Sequence, residues 1–443
     1  MIPDISLINL LIRFLNMSII KKIIGRQIID SRGTPTVEAE VFLENGVRAT
    51  GIAPSGASTG KYEAVELRDN DPFSYFGKGV SKAIFNINSL ISDHLAGDCV
   101  TNQLRIDQKI NDLDATENKS RLGANATLAV SLACASACAK TKNKFIFESL
   151  SFRNSYTLPV PMMNILNGGS HADNSIDVQE FMIMPVGADT FKDAIKMGTE
   201  IFYSLKSFLK SKNLSINVGD EGGFAPNLKS NEHAIEVIIK SVEDAGYKLG
   251  IDILLSIDAA ASEFYCSKER KYHFKKSSGI KKTTIEMIEF WKSWISKYPI
   301  FSIEDGLDED DWQGWSQLNN EIGNKVQLVG DDLFVTNEKK LKRGIDEKSA
   351  NAILIKPNQI GTLSETIATV NLAKLNNFKT IMSHRSGETE DTFIADLAVA
   401  LGTSQIKTGS LSRSDRVAKY NRLLRIEEEI GDRAIYLGNK IKF

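Results

Sequence analysis

Three apolar runs between Tyr298 and Gly361 each end in a charged residue. Ile300–Ile303 runs into Glu304-Asp305-Gly306, Val326–Val329 into Gly330-Asp331-Asp332, and Ala352–Ile355 into Lys356-Pro357-Asn358. Short, mostly apolar, largely β-branched runs bounded by Gly, Pro or Asp read as buried parallel strands, and the tracts between them read as helices. A strand-then-helix unit recurring about every 25 residues is what a (β/α) barrel requires, and such barrels carry their chemistry at the C-terminal ends of the strands. The ladder extends both ways: Ile251–Ile257 ends in Asp258-Ala259-Ala260, Thr380–Met382 in Ser383-His384-Arg385-Ser386, and Ser404–Ile406 in Lys407-Thr408-Gly409. Asp258, Glu304, Asp331, Lys356, His384 and Lys407 therefore follow one another along a single rim.

Upstream the periodicity changes. Ile28–Ser31 and Thr36–Leu43 predict short strands, with Asn45-Gly46 turning back into Val47–Ala49. From Val80 to Lys142 the spacing is helical, with a long buried helix predicted over Ala124–Ala139. A small α+β lid domain over 17–153, preceded by an extension over 1–16 and followed by a catalytic barrel over 154–443, is the expected organisation; Pro159 and Pro161 mark the entry to the barrel. The barrel opens with Met162–Leu166, a loop over Asn167–Asn174 containing His171, and a strand around Ile176–Met184 that carries Gln179 and Glu180. Helices over Phe191–Lys212 and Glu232–Ala245 flank Val218-Gly219-Asp220-Glu221-Gly222-Gly223, a turn-forming run that gains weight only from its context.

Composition narrows the function. A chain of 443 residues is too long for one compact core. A net charge of -2 offers no basic face for nucleic acid. Four cysteines without a C-x-x-C pair suggest a reducing compartment, the cytoplasm, and Cys134 and Cys138 read as small core residues. The apolar patch Ile8–Ile12 is too short to span a membrane and lacks a basic flank or cleavage site, so the first sixteen residues are expected to be a disordered tail or a mis-chosen start. Pro54–Tyr62 has a P-loop's small residues but not its spacing, because three residues separate Gly56 from Gly60 and Tyr62 follows Lys61. A hinged lid over a site is the better functional reading. His94, His233 and His273 sit in polar surroundings and are expected at the surface. His384 either shapes its loop or touches substrate.

Seven motifs then stand in order: Ser55-Gly56-Ala57-Ser58-Thr59, Gly168-Gly169-Ser170-His171, Gly219-Asp220-Glu221-Gly222-Gly223, Ser302-Ile303-Glu304-Asp305-Gly306, Gly330-Asp331-Asp332, Ile355-Lys356-Pro357-Asn358-Gln359-Ile360-Gly361 and Ser383-His384-Arg385-Ser386-Gly387-Glu388-Thr389. Together they closely resemble the enolase family, the 2-phosphoglycerate hydratases of glycolysis, from about Met17 onward. The resemblance implies an α/β fold: a small N-terminal α+β domain followed by a modified eight-stranded TIM-like barrel whose early strands are not all parallel. It implies that Asp258, Glu304 and Asp331 bind Mg²⁺, and that Ser58 joins a second Mg²⁺ arriving with substrate. Lys356 would remove the C2 proton and Glu221 would help the 3-hydroxyl leave. His171, Gln179, Glu180, His384, Arg385, Ser386 and Lys407 would hold substrate, with phosphate on Arg385 and Ser386. A homodimer or octamer is implied, and some bacterial members are also displayed at the cell surface. The end, Ile441-Lys442-Phe443, lacks the terminal lysine with which displayed members capture plasminogen, which speaks against that role.

The chemistry accounts for this residue set. Removing a proton α to a carboxylate puts a second negative charge on an anion, which a hard cation on oxygen ligands relieves; lysine or histidine bases with one or two Mg²⁺ are the general pattern of enolase-superfamily sites. A free lysine is protonated at neutral pH, and nearby Mg²⁺ and Lys407 are expected to favour neutral Lys356. Two competing readings stay open here. A Mg²⁺-dependent phosphotransferase on a barrel would use the same residue types, and a non-catalytic binding protein would be expected to lack a ligand or the Lys–Glu pair.

Overall fold

A computed structural model describes residues 18–57, 59–151 and 155–441. The extension over 1–16, Ser58, the domain boundary at 153/154 and the last two residues lie outside the described residues. The small domain is a three-stranded antiparallel sheet of β1 (Ile20–Ile29), β2 (Pro35–Leu43) and β3 (Arg48–Ala53). The first strand begins eight residues earlier than the predicted Ile28, because a register shift between Ile20 and Lys22 breaks the alternation that marks a strand. The helical tract is likewise divided, with α1 (Gln103–Asp114) and α2 (Ala124–Thr141) its two long pieces. Helix α2 lies across the sheet. Its small residues let strand and helix come close: a Cβ at Gly51 would stand 2.4 Å from both Ala129 O and Ala133 N.

Eight strands close the barrel: β4 (Val160–Asn167), β5 (Glu180–Met184), β6 (Leu254–Asp258), β7 (Ile300–Glu304), β8 (Gln327–Gly330), β9 (Ala352–Ile355), β10 (Lys379–Ser383) and β11 (Gln405–Lys407). They pair in the order β7-β8-β9-β10-β11-β4-β5-β6, and β5 runs antiparallel to both of its neighbours. Around them lie α3 (Phe191–Ser211), α4 (Asn231–Asp244), α5 (Thr284–Lys297), α6 (Trp312–Ile322), α7 (Glu338–Glu347), α8 (Leu363–Leu375), α9 (Phe393–Leu401) and α10 (Ser414–Ile430). Side-chain caps fix several helix starts: Thr190 on α3, Ser230 on α4, Thr283 with Glu286 on α5 and Thr362 on α8.

Two barrel strands are shorter than their apolar runs. Residues 176–179 are buried but not in a strand, and 251–253 belong to a turn in which Gly250 takes φ +81° and Asp252 N donates to Lys248 O. His273 is also a correction. It is buried, with Nε2 3.1 Å from Glu269, on Lys271–His273, the central strand of a small three-stranded sheet. Cys134 and Cys138 are buried in α2 as core residues. No helix among the described residues is long and apolar enough to cross a membrane.

The small domain is stitched to the barrel at the loop after β10. Ser55 and Gly387 exchange backbone bonds of 2.9 and 2.8 Å, and Ser31 N donates to Glu388 O at 2.7 Å. The loop carrying the small-residue motif is thereby held over the C-terminal rim.

Candidate active site

Asp258, Glu304 and Lys407 are the last residues of β6, β7 and β11, and Asp331, Lys356 and His384 follow β8, β9 and β10. Register sets the acids side by side, since Asp258 pairs with Glu304 on one flank and Glu180 on the other. A cleft forms there, lined by His171, Gln179, Glu180, Glu221, Asp258, Asp331, Lys356, His384, Arg385, Ser386 and Lys407 among others. Glu304 is fully buried and reaches this group through Lys407.

Lys407 is the hub of one wall. Its Nζ lies 2.8 Å from Asp258 Oδ2, 2.8 Å from Glu304 Oε1 and 3.2 Å from Glu180 Oε1. Burial alone would lower an ammonium's pKa, but the three carboxylates hold Lys407 well above its usual value. In turn, burial would raise Asp258, and the Lys407 charge instead keeps it below the ordinary range. Glu304 and Glu180 are pushed well above it by burial and by neighbouring acids.

Lys356 pairs with Asp331, whose other oxygen accepts from Gln359 Nε2 at 2.8 Å. Burial, the Arg385 charge and, as expected, the Lys407 charge press Lys356 toward the neutral form, but the Asp331 carboxylate outweighs them and the pKa is raised. In this geometry Lys356 is an ammonium.

The remaining residues divide between two groups. Glu221 accepts from Asn164 Nδ2 at 3.0 Å and lies 3.2 Å from His384 Nε2. His171 Nδ1 stands between the acids, 3.5 Å from Glu180 and 3.7 Å from Glu221. Burial pushes Glu221 up, yet the neighbouring His384 and His171 and the Arg416 charge hold it well below the usual carboxylate range. Burial lowers His171 and takes His384 down to about 4. At the other group, Arg385 Nη1 donates to Glu63 Oε2 at 2.7 Å, and Ala57 N donates to Ser386 Oγ at 2.6 Å. Gln179 Oε1 accepts from Ser170 at 2.6 Å.

The donors fit a hard divalent cation. They are carboxylate oxygens, and Glu180 Oε2 and Glu304 Oε2 are buried without a hydrogen-bond partner. Asp258 and Asp331 both act on the buried Glu304 carboxylate. Asp258 and Glu304 share Lys407, whereas Asp331 groups with Asp305 and Asp332, their ligand oxygens within 4.8 Å of one another.

Several contributors were missed from the sequence. Asp305 takes φ +42° and accepts from the backbone N–H groups of Asp331 and Asp332 at 2.9 Å each, so it aims the end of β8. Its signal was the second acid in Glu304-Asp305-Gly306. Asn164 was visible as the lone amide inside the apolar run Met162–Leu166. Glu63 and Arg416 carried no local signal, since their partners lie 322 and 32 residues away.

With this geometry in hand, comparison with known families gives two matches. A family model described as "Enolase, N-terminal domain" matches residues 20–150, and one described as "Enolase, C-terminal TIM barrel domain" matches residues 155–443. The chain belongs to the enolase family. The enolase match covers both parts of the molecule and supports an enolase-type hydro-lyase acting on a small-molecule substrate. The eight-stranded barrel with its antiparallel second strand is the enolase barrel that the motifs implied.

Proposed function

We propose that the chain catalyses the Mg²⁺-dependent, reversible dehydration of 2-phosphoglycerate to phosphoenolpyruvate, the glycolytic and gluconeogenic step. The observation that carries this reading is one cleft lined by Lys356, by the Glu221–His384 pair and by Arg385 and Ser386. Lys356 is assigned the C2 proton and Glu221 the departing 3-hydroxyl. Lys356 acts as base only after losing its own proton, and Lys407 and Arg385 press it that way. Burial and neighbouring acids favour the protonated form of Glu180, on the other side of His171, whereas the groups around Glu221 favour its carboxylate. Arg385 and Ser386 would take the phosphate, and His171, Gln179, His384 and Lys407 would orient the rest of the substrate. Asp258, Glu304 and Asp331 would hold the first Mg²⁺, and Ser58 would join the second, which arrives with substrate. When bound, Mg²⁺ supplies positive charge against the extra negative charge that deprotonation creates on the carboxylate.

The assay is appearance of phosphoenolpyruvate from 2-phosphoglycerate, with Mg²⁺ and then after exhaustive chelation. Turnover that needs the metal is expected, and undiminished turnover in chelator would remove the metal from the reading. Replacing Ser58 with alanine should lower turnover far more than it lowers the melting temperature. A cytoplasmic homodimer or octamer is part of the proposal, checked by light scattering.

A further inference from the structure

Arg416, near the start of α10, is fully buried and does not line the cleft. Its Nη1 donates to His384 Nδ1 and to Arg385 O, both at 2.5 Å. Its Nη2 donates to Ser386 O at 2.5 Å and to Asp220 O at 3.2 Å. Asp415 Oδ2, 2.8 Å from Nε, supplies the counter-charge. Room for the arginine stem comes from Gly409, which takes φ +79°; a Cβ there would stand 2.7 Å from Arg416 Cδ and 2.8 Å from Glu221 O. One planar fork thus ties the 384–386 loop to the loop that bears Glu221.

A guanidinium has five N–H donors and no lone pair, so a ring nitrogen facing it must accept. His384 Nδ1 is therefore the bare nitrogen. In a neutral imidazole the proton then sits on Nε2, 3.2 Å from Glu221 Oε1. The charged groups acting on this ring are Glu221, Arg416 and Glu388; the arginine's charge and burial both oppose protonation of Nδ1.

We propose that Arg416 is a positioning residue of the reaction, holding His384 as the neutral Nε2–H tautomer, which puts the protonated nitrogen 3.2 Å from Glu221 Oε1. The catalytic consequence rests on the function proposed above; the tautomer does not.

¹⁵N spectra of histidine-labelled wild-type protein test the tautomer directly, with the His384 signals identified by their loss in His384→Gln. One bare Nδ1 and one protonated Nε2 near neutral pH are expected. A proton on Nδ1, or an imidazolium, overturns the proposal. Arg416→Lys keeps the charge but loses the fork. It should lower kcat for 2-phosphoglycerate by about tenfold or more while KM changes by less than about threefold. In a His384→Gln background the same change should lower kcat by less than about twofold, because no tautomer remains to be held. Equal losses in the two backgrounds would mean that Arg416 only shapes the fold, and would overturn the role. Absence of turnover in the wild type would count against the reaction, and the nitrogen spectra would still decide the tautomer.

Discussion

At the scale of single residues the cleft sorts its ionisable groups into compensated charges and groups held neutral. Lys407 and Lys356 keep their charge beside carboxylates, whereas His384 is kept neutral by burial. The two catalytic assignments can be separated by substitution. Lys356→Ala should abolish both turnover and exchange of the substrate's C2 hydrogen with deuterated water. Glu221→Gln should block dehydration yet retain C2 exchange, with losses of about 10²–10⁴-fold for either removed group. Loss of exchange in the Gln variant and its survival in the Ala variant would reverse the two roles. His384 carries a pH prediction. Its pKa falls from 6.5 to about 4 on folding, so below about pH 6.5 the unfolded chain binds a proton that the folded ring refuses, and stability is lost as pH drops toward 4. At about 1.4 kcal/mol per tenfold change in proton affinity, this one ring accounts for at most roughly 3.5 kcal/mol. Urea unfolding of His384→Gln between pH 4 and 7 should show a shallower fall than the wild type; parallel curves would contradict it.

At the scale of elements, legibility followed periodicity. β7, β8 and β9 were readable because each is a buried run closed by a charge, and their strand-end residues line or adjoin the cleft as the spacing implied. The start of β1 was not readable, because its bulge breaks the alternation, and β6 was overextended because the turn residues Ile251 and Ile253 are themselves apolar. Lys356 paired with Asp331, and Asp331 grouped with Asp305 and Asp332, are tertiary facts that no spacing encodes. Arg416 escaped for the same reason. The close approach of β3 to α2 was also hidden, since Gly51 reads as any glycine in a strand. It predicts a sharp local effect: in Gly51→Ala the added methyl would meet backbone atoms of Ala129 and Ala133, which cannot swing away as a side chain can. Overpacking of this kind should cost about 1–3 kcal/mol, read as a lower urea midpoint. An unchanged midpoint would show that helix and sheet can separate without loss.

At the scale of the whole molecule, the small domain acts on the barrel through the residues that would bind phosphate. Glu63, from the loop after the small-residue motif, pairs with Arg385 at 2.7 Å, and the two side chains are only 8% and 2% exposed. The same carboxylate accepts from Gly60 N at 3.0 Å and Gln359 Nε2 at 3.3 Å, so one side chain links its own loop, the residues after β9 and those after β10. A buried cation beside a carboxylate is satisfied electrostatically, and an incoming anion must compete for it. Replacing Glu63 with glutamine keeps the shape and an acceptor oxygen but removes the competing charge. Inorganic phosphate, used as a competitive inhibitor of 2-phosphoglycerate turnover, should therefore bind Glu63→Gln more tightly than wild type, by about tenfold if roughly 1.4 kcal/mol of competition is relieved. Turnover should fall at the same time, because the small domain's loop loses its charged anchor on the rim. An unchanged inhibition constant would mean that Glu63 does not compete for the phosphate position. Unchanged turnover with tighter phosphate would leave the competition standing and remove the anchor.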